Sequence, residues 1–393
     1  MSSRCLLILG GSHAEVPLIK AGKKLGFEVI TTGNKASDIG HSFGDLYVPG
    51  DFSNVADMVK LAREHRVTAV CSGCNDFAAI SAASIAEALG LPGHDSVGLT
   101  KAIHHKNSFY ELAGKASVPV PPSTEVTTIS EAREAAHEFG LPIILKPTDL
   151  TGGKGISVVD NLTELDSAWR LATSISRRDC FVVQKFIAGS NHAVSALIIN
   201  GRINFIFFDN EHYYINKYLV GAASFPTSLS EEVQNQVFSS VQLLAIELNL
   251  GDGLLHLQFM VNDQGEHFFI DVCRRPPGDL YIRFVELATD VPYPELIVRL
   301  SAGMEANVPD ERLTGKFIGR LCLMPTKIGH FEKVNEVPGP GRVIERTPLM
   351  LPGTEISNLG VQKVEILQLE FNSVQEMISV MDKPSIQFQV EVI

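Results

Sequence analysis

The stretch Leu255-His-Leu-Gln258-Phe-Met260, with its continuation Phe268-Phe-Ile-Asp271-Val-Cys273-Arg-Arg275, decides the fold. Its two apolar runs flank the turn Asn262-Asp-Gln-Gly265, the pattern of an antiparallel hairpin with strands over Leu254–Val261 and His267–Val272. Strand side chains alternate between faces, so Gln258 and Asp271, 13 positions apart around the turn, share one side with Cys273 and Arg275. Oxygen donors gathered in this way are what Mg²⁺ bridging a nucleoside triphosphate requires. Read alone, the hairpin serves equally well as a sheet element with a few polar positions and one salt bridge.

Upstream, Ala193–Ile199 and Ile203–Phe208 flank Asn200-Gly201, a second hairpin, because Asn-Gly suits the type I′ turn. A helix over Ser230–Leu248 follows, with Ser230 as its cap and Val233, Val237, Val241, Leu244 and Leu248 at helical spacing. Further upstream, Ile144-Leu-Lys146-Pro147 reads as a strand and Thr151-Gly-Gly-Lys154-Gly155 as a mobile loop. Two lysines eight positions apart, one on a strand and one on a glycine loop, can approach phosphates from two sides. Read alone, the loop is as often a solvated turn. Helices over Ser130–Phe139 and Thr163–Ser174 and strands over Ile156–Val159 and Phe181–Gln184 complete a small α+β unit behind the proline-rich segment 118–122.

The first hundred residues alternate short apolar runs with amphipathic stretches: strands at Leu6–Leu9, Phe27–Thr31, Asp45–Val48 and Val67–Cys71, with helices between them. That is the pattern of βαβ units on a parallel sheet. Gly10-Gly11-Ser12 follows the first strand and opens a helix, where an anion can sit, but it is not GxGxxG. A dinucleotide-dependent oxidoreductase would rest on this unit alone. The tail from about Leu313 has short β-like runs among Gly and Pro and reads as a separate β-rich unit.

The 393 residues carry 33 Lys and Arg against 45 Asp and Glu, a net charge of −12, which disfavours a general nucleic-acid binder. The apolar runs all fall short of the roughly 18–20 residues that span a bilayer, so no membrane partner is expected. Six dispersed cysteines suit a reducing, cytoplasmic setting. The pair Cys71-Ser-Gly-Cys74 lacks two further ligands at matching spacing, so a structural role is expected there in preference to redox or metal chemistry.

Taken in order, these features resemble the ATP-grasp superfamily of carboxylate-amine ligases, and most closely the branch similar to the carbamoyl-phosphate synthase large chain, purine-biosynthetic ATP-grasp enzymes and L-amino-acid ligases. The resemblance implies a multidomain α/β and α+β fold. It comprises a Rossmann-like N-terminal domain over 1–105, a linker helix and lid over 106–190, an antiparallel core over 191–312 and a β-rich unit over 313–393. It implies ATP and Mg²⁺, or Mn²⁺ in its place, as cofactors. Lys106, in His105-Lys-Asn-Ser-Phe-Tyr, matches a phosphate-contacting lysine, Lys146 the strand lysine at ATP, and Lys154 lies in the phosphate-covering loop. Phe181-Val-Val-Gln184-Lys185-Phe-Ile187 resembles the lid hinge, where backbone groups of Lys185 and Ile187 hold the adenine edge.

The family's metal set of Glu, Glu and Asn is matched by Gln258, Asp271 and Cys273, and Arg275 matches its terminal Arg. Cysteine is the largest departure, since a thiol suits hard Mg²⁺ poorly. Gln184 and Asn191 stand where Glu is common, and His192 resembles a nucleotide contact of the carboxylase branch. The reaction implied is attack of a small-molecule carboxylate on the γ-phosphorus of ATP, with Lys154 and Arg275 as catalytic residues, followed by displacement of phosphate by an amine. The alternative is a nucleotide-binding homologue whose catalysis is lost or altered by Cys273 at the metal position. The acyl pocket is expected between the loop 71–76 and the segment 275–283, with Tyr213, Tyr214 and Arg320 within reach. The carboxylate substrate and ATP are both anions, so a local basic cleft is expected against the overall charge. A homodimer is the assembly common among similar proteins.

Overall fold

Short contiguous apolar runs bounded by glycine become buried parallel strands at the N-terminus, as their lack of a polar face demands. In the computed structural model, which describes residues 4–148, 155–309 and 315–393, strands β1 (Cys5–Leu9), β2 (Glu28–Gly33), β3 (Leu46–Pro49) and β4 (Ala69–Ser72) form a parallel sheet in the order β3-β2-β1-β4. Every residue of β1 is buried. Helices α1 (Val16–Lys24) and α2 (Val55–Glu64) lie on the β1–β2 and β3–β4 crossovers, α3 (Asp76–Leu89) follows β4, and Asn75 caps α3 by accepting from the Phe77 amide. Gly73, just after β4, is obligatory: a Cβ there would lie 2.1 Å from the Leu9 carbonyl oxygen. This close approach fixes the loop that presents Asp76.

Helices α4 (Val97–His104) and α5 (Lys106–Lys115) lead to the proline-rich segment. That segment ties two layers together and is no free linker. The Pro119 carbonyl accepts from the Phe269 amide at 3.0 Å, and the Pro122 carbonyl accepts from the Lys185 amide at 2.8 Å. The lid is the antiparallel sheet of β5 (Ser123–Val126), β6 (Ile143–Pro147), β7 (Ser157–Val159) and β8 (Phe181–Lys185), ordered β5-β8-β6-β7 and covered by α6 (Ile129–Phe139) and α7 (Leu165–Ile175). Trp169 packs on Phe181 at 4.7 Å between ring centroids.

The core sheet is antiparallel and eight-stranded. It contains β9 (Ser190–Ile199), β10 (Arg202–His212), β11 (Ala222–Phe225), β12 (Gly253–Val261), β13 (His267–Cys273) and β14 (Phe317–Leu323). The β9–β10 turn has Asn200 and Gly201 at φ of 53° and 71°, the left-handed pair a type I′ turn needs. Helix α8 (Glu231–Glu247), capped by Ser230, packs one side through Val233, Val237, Val241 and Leu244. Helices α9 (Tyr281–Thr289) and α10 (Tyr293–Ser301) cover part of the other and bury it against α1 and β1.

Beyond β14 come β15 (Gly329–Glu336), β16 (Arg342–Pro348), β17 (Glu355–Ile356), β18 (Glu365–Phe371), α11 (Val374–Asp382) and β19 (Phe388–Val392). The tail, expected to stand apart, divides: β14, β18 and β16 extend the core sheet in the order β13-β12-β9-β10-β11-β14-β18-β16, while β17, β15 and β19 form a sheet of three. The physical reason is β11, whose outer edge pairs with β14 from Ala222 opposite Leu321 to Phe225 opposite Ile318. An edge with unpaired backbone groups recruits the next available strand. Among the described residues, no helix is long and apolar enough to cross a membrane.

Candidate active site

A cavity of about 820 Å³ lies between the lid and the inner face of the core sheet. Its roof carries Ile144, Lys146, Ile156 and Val158, and Phe186, Ala188 and Gly189 of the hinge form one wall. The sheet supplies Asn191, Glu211, Tyr213, His256, Gln258 and Met260, and beyond them lie Asp271, Cys273, Arg275, Gly278, Asp279 and Arg320, with Asp76 and His104 closing the end. Gly189 makes the hinge narrow: at its φ of +154°, a Cβ would lie 2.0 Å from the Val261 carbonyl oxygen.

The sequence-predicted residues fall into three groups. Lys146, Asn191, Gln258, Asp271, Cys273 and Arg275 border the cavity. Lys146 is 7% exposed and its Nζ donates to Gln184 Oε1 at 2.7 Å, so buried Gln184 meets the lysine and does not border the cavity itself. Lys154 lies outside the described residues, as does the side chain of Lys106, whose backbone opens α5.

The remaining residues point elsewhere. The Lys185 ammonium donates to the carbonyls of Gly140 and Leu141 at 3.0 and 3.3 Å, and its amide is given to Pro122, so neither of these donors faces a base. Half-buried Ile187 sits within the hinge but off the cavity wall. His192, one residue past Asn191, is on the opposite face by strand alternation. It is buried beside Phe259, with Nε2 2.7 Å from Ser190 Oγ and Nδ1 3.3 Å from the Asp209 carbonyl.

Burial pushes the His192 ring down to about 4, the Asp209 carbonyl partly opposing it. An unfolded histidine protonates near 6.5, so the unfolded chain takes up this proton first as pH falls. The stability due to neutral His192 is complete above about pH 6.5 and is lost progressively towards pH 4. Urea midpoints measured from pH 7 to 4.5 should therefore decline, and more gently in His192→Phe.

In the antiparallel register Gln258 stands opposite Asp271 on β13 and Ala193 on β9. The Gln258 Nε2 donates to Glu211 Oε1 at 2.6 Å, and the Tyr213 hydroxyl donates to Glu211 Oε2 at 2.8 Å. The Cys273 thiol, expected in the metal set, is turned to the Arg275 carbonyl at 3.3 Å, and burial pushes it up to about 11, leaving it protonated at neutral pH. A soft thiol turned to a backbone carbonyl suits hard Mg²⁺ poorly. Asp271 and the Gln258 amide oxygen do fit. Mg²⁺ commonly takes one or two protein carboxylates and fills its shell with water and substrate phosphates.

Arg275 Nε donates to Asp76 Oδ1 at 2.8 Å, and His104 Nδ1 lies 3.0 Å from the same oxygen. Burial alone would raise the Asp76 carboxyl, but His104 and the Arg275 guanidinium hold it well below the usual carboxylate range. Of the residues expected near the acyl pocket, Tyr213 and Arg320 border the cavity, whereas the Tyr214 hydroxyl donates to the Cys322 carbonyl and Arg283 pairs with Glu286 and Glu345. Cys71 and Cys74 are unbridged, and burial raises both thiols.

Sequence reasoning missed Glu211. It also missed Asp209, wholly buried beside the Tyr281 hydroxyl at 3.2 Å. Burial pushes the Glu211 carboxyl up to about 7 against the hydrogen bonds from Gln258 and Tyr213. The basic cleft expected is not what the described residues make: Lys146, Lys217, Arg275 and Arg320 are matched on the lining by Asp76, Asp160, Glu211, Asp271 and Asp279. A site so balanced suits an anion accompanied by a divalent cation better than a bare anion.

The family model of the carbamoyl-phosphate synthase L chain, ATP binding domain, matches residues 105–305. The L-amino acid ligase of Bacillus licheniformis superposes with a TM-score of 0.86 at 18% identity, covering 100% of both chains. Phosphoribosylglycinamide synthetase from Anaerococcus prevotii gives 0.78 at 18% identity over 100% of both chains. The biotin carboxylase domain of Hydrogenobacter thermophilus 2-oxoglutarate carboxylase, solved as a dimer with magnesium ADP and bicarbonate, gives 0.78 at 19% identity over 100% of this chain and 92% of that one. At these identities the likeness establishes the fold.

Proposed function

The chain belongs to the family of the carbamoyl-phosphate synthase L-chain ATP-binding domain and has the ATP-grasp fold, and from that premise we propose that it is an ADP-forming ligase joining a small-molecule carboxylate to an amine. The observation that carries this reading is the meeting, in one cavity, of Lys146 on the lid with Gln258, Asp271 and Arg275 on the core. ATP is the phosphoryl donor, and Mg²⁺, or Mn²⁺ in its place, supplies charge neutralisation across its phosphates when bound.

Each residue then has a task that follows from its position. Lys146, fixed by Gln184, sets an ammonium against phosphate from the lid. Asp271 and Gln258 hold the cation from the floor. Arg275, pinned by Asp76, presents its remaining N–H groups to the carboxylate being activated and to the phosphoryl group it receives. Catalysis is positioning and charge neutralisation, with the lid excluding water from an acyl phosphate that would otherwise hydrolyse. Lys106 and Lys154 are proposed as further phosphate contacts, and a homodimer as the assembly.

Cys273 favours one other reading, a nucleotide-binding homologue without turnover. ADP release measured across amino acids and simple carboxylates, each with and without an amine, separates the two. The ligase reading expects ADP formation that depends on a carboxylate. Nucleotide binding with no ADP from any carboxylate would favour the other.

A further inference from the structure

Gln258 brings an amide to the metal set, as the carbamoyl-phosphate synthase branch that the sequence resembles also does, where Glu is the commoner residue. An amide has one oxygen and one NH₂ group, and only its oxygen can face a cation. Something must therefore fix which end points inward. The neighbour on β9, Ala193, is short enough for the Gln258 side chain to pass over it and reach β10. There the Gln258 Nε2 donates to Glu211 Oε1 at 2.6 Å. Carboxylate oxygens accept, so the NH₂ end is committed to Glu211 and the amide oxygen is left on the side of Asp271, which stands across β12 on β13. The Tyr213 hydroxyl, donating to the other Glu211 oxygen at 2.8 Å, holds the carboxylate still.

We propose that Glu211 is a positioning residue for the cation site: it holds the nitrogen of Gln258 and so aims the amide oxygen at the cation shared with Asp271. This rests on the ligase reading and adds a residue from a third strand to its metal site. Outer partners of this kind orient ligands, and their loss typically weakens metal affinity by about 10–100-fold.

The test is calorimetric titration of Mn²⁺ into the full chain with ADP present, checked by Mn²⁺ electron paramagnetic resonance. Glu211→Met, which removes the acceptor at similar length, should weaken Mn²⁺ by about 10–100-fold. Glu211→Gln, which keeps an acceptor but not the charge, should recover part of the loss and serves should the methionine variant fail to fold. In a Gln258→Glu background there is no amide to aim and a like charge is relieved, so Glu211→Met should weaken Mn²⁺ no further. Equal weakening in both backgrounds, or none in the wild-type background, would overturn the proposal. Wild-type protein that binds ADP but no Mn²⁺ would overturn it too, and wild-type protein that binds neither would remove the ligase reading beneath it.

Discussion

Lys146→Ala is expected to lose carboxylate-dependent ADP release almost entirely. The side chain is buried, borders the cavity from the lid, and meets Gln184 at 2.7 Å. Its ammonium is therefore in place before the nucleotide arrives and needs no reorganisation as charge shifts in the transition state. Removing one such preorganised group typically costs about 10²–10³ in turnover. Asp271→Ala should lose activity on the same scale from the opposite wall, since it takes away the one carboxylate of the predicted metal set. The two losses should differ in kind. The lysine variant should bind ADP more weakly without Mg²⁺, whereas the aspartate variant should lose only the Mg²⁺-dependent part of the affinity. Steady-state ADP release and nucleotide titration with and without Mg²⁺ read both, and full turnover in either variant would contradict the site.

Asp95→Ala should produce the largest loss of stability. The Arg274 Nε donates to Asp95 Oδ2 at 2.7 Å, with both side chains almost wholly buried, at 6% and 3% exposure. The same guanidinium donates to the carbonyls of Leu254 and Gly251 at 2.8 Å each, and Asp95 Oδ1 accepts from the Gly251 amide at 2.7 Å. The network clamps the loop between α3 and α4 to the end of the core sheet beside Arg275. Removing the carboxylate strands a buried guanidinium, which typically costs about 3–5 kcal/mol. Replacing both partners with apolar residues, as in Asp95→Leu with Arg274→Met, should recover part of that, because a buried pair is weak in net terms when both charges go, while the Leu254 and Gly251 carbonyls lose their donor. Denaturant midpoints of the single and double variants test this. A double variant no better than Asp95→Ala would show that the backbone contacts of Arg274 dominate.

The parts of the molecule visible in its sequence share a cause: local pattern settles them. β1 is a run of five apolar residues ended by glycine and could only be buried. The Asn200-Gly201 turn fixes the β9–β10 hairpin, and Ser230 marks the start of α8. Gln258 and Asp271 share a face as strand alternation leads one to expect, but the turn alone does not set their register: it pairs Met260 with Phe268 and Phe259 with Phe269, and a β-bulge beside Gln258 then brings Asp271 opposite it.

What stayed hidden depends on pairing between distant strands. β11 is the short segment Ala222–Phe225, whose small residues carry no strand signal, so nothing foretold that β14 would join the core sheet there. Glu211 lies in Asp209-Asn-Glu-His212, a polar run that reads as a loop after Phe208. Carrying the period of two from Phe205 and Phe207 through Asp209 to Glu211 was the available signal. His192 was misplaced for the complementary reason: motif likeness put it at the nucleotide, while alternation from Asn191 turns it to the far face, beside Phe259.

The central claim is that a carboxylate attacks the terminal phosphorus of ATP in this cavity. With a carboxylate found active in the ADP-release screen and labelled with ¹⁸O in both oxygens, turnover should place one labelled oxygen in the released inorganic phosphate, with ADP as the nucleotide product. Phosphate free of label, or label in AMP with release of pyrophosphate, would contradict it.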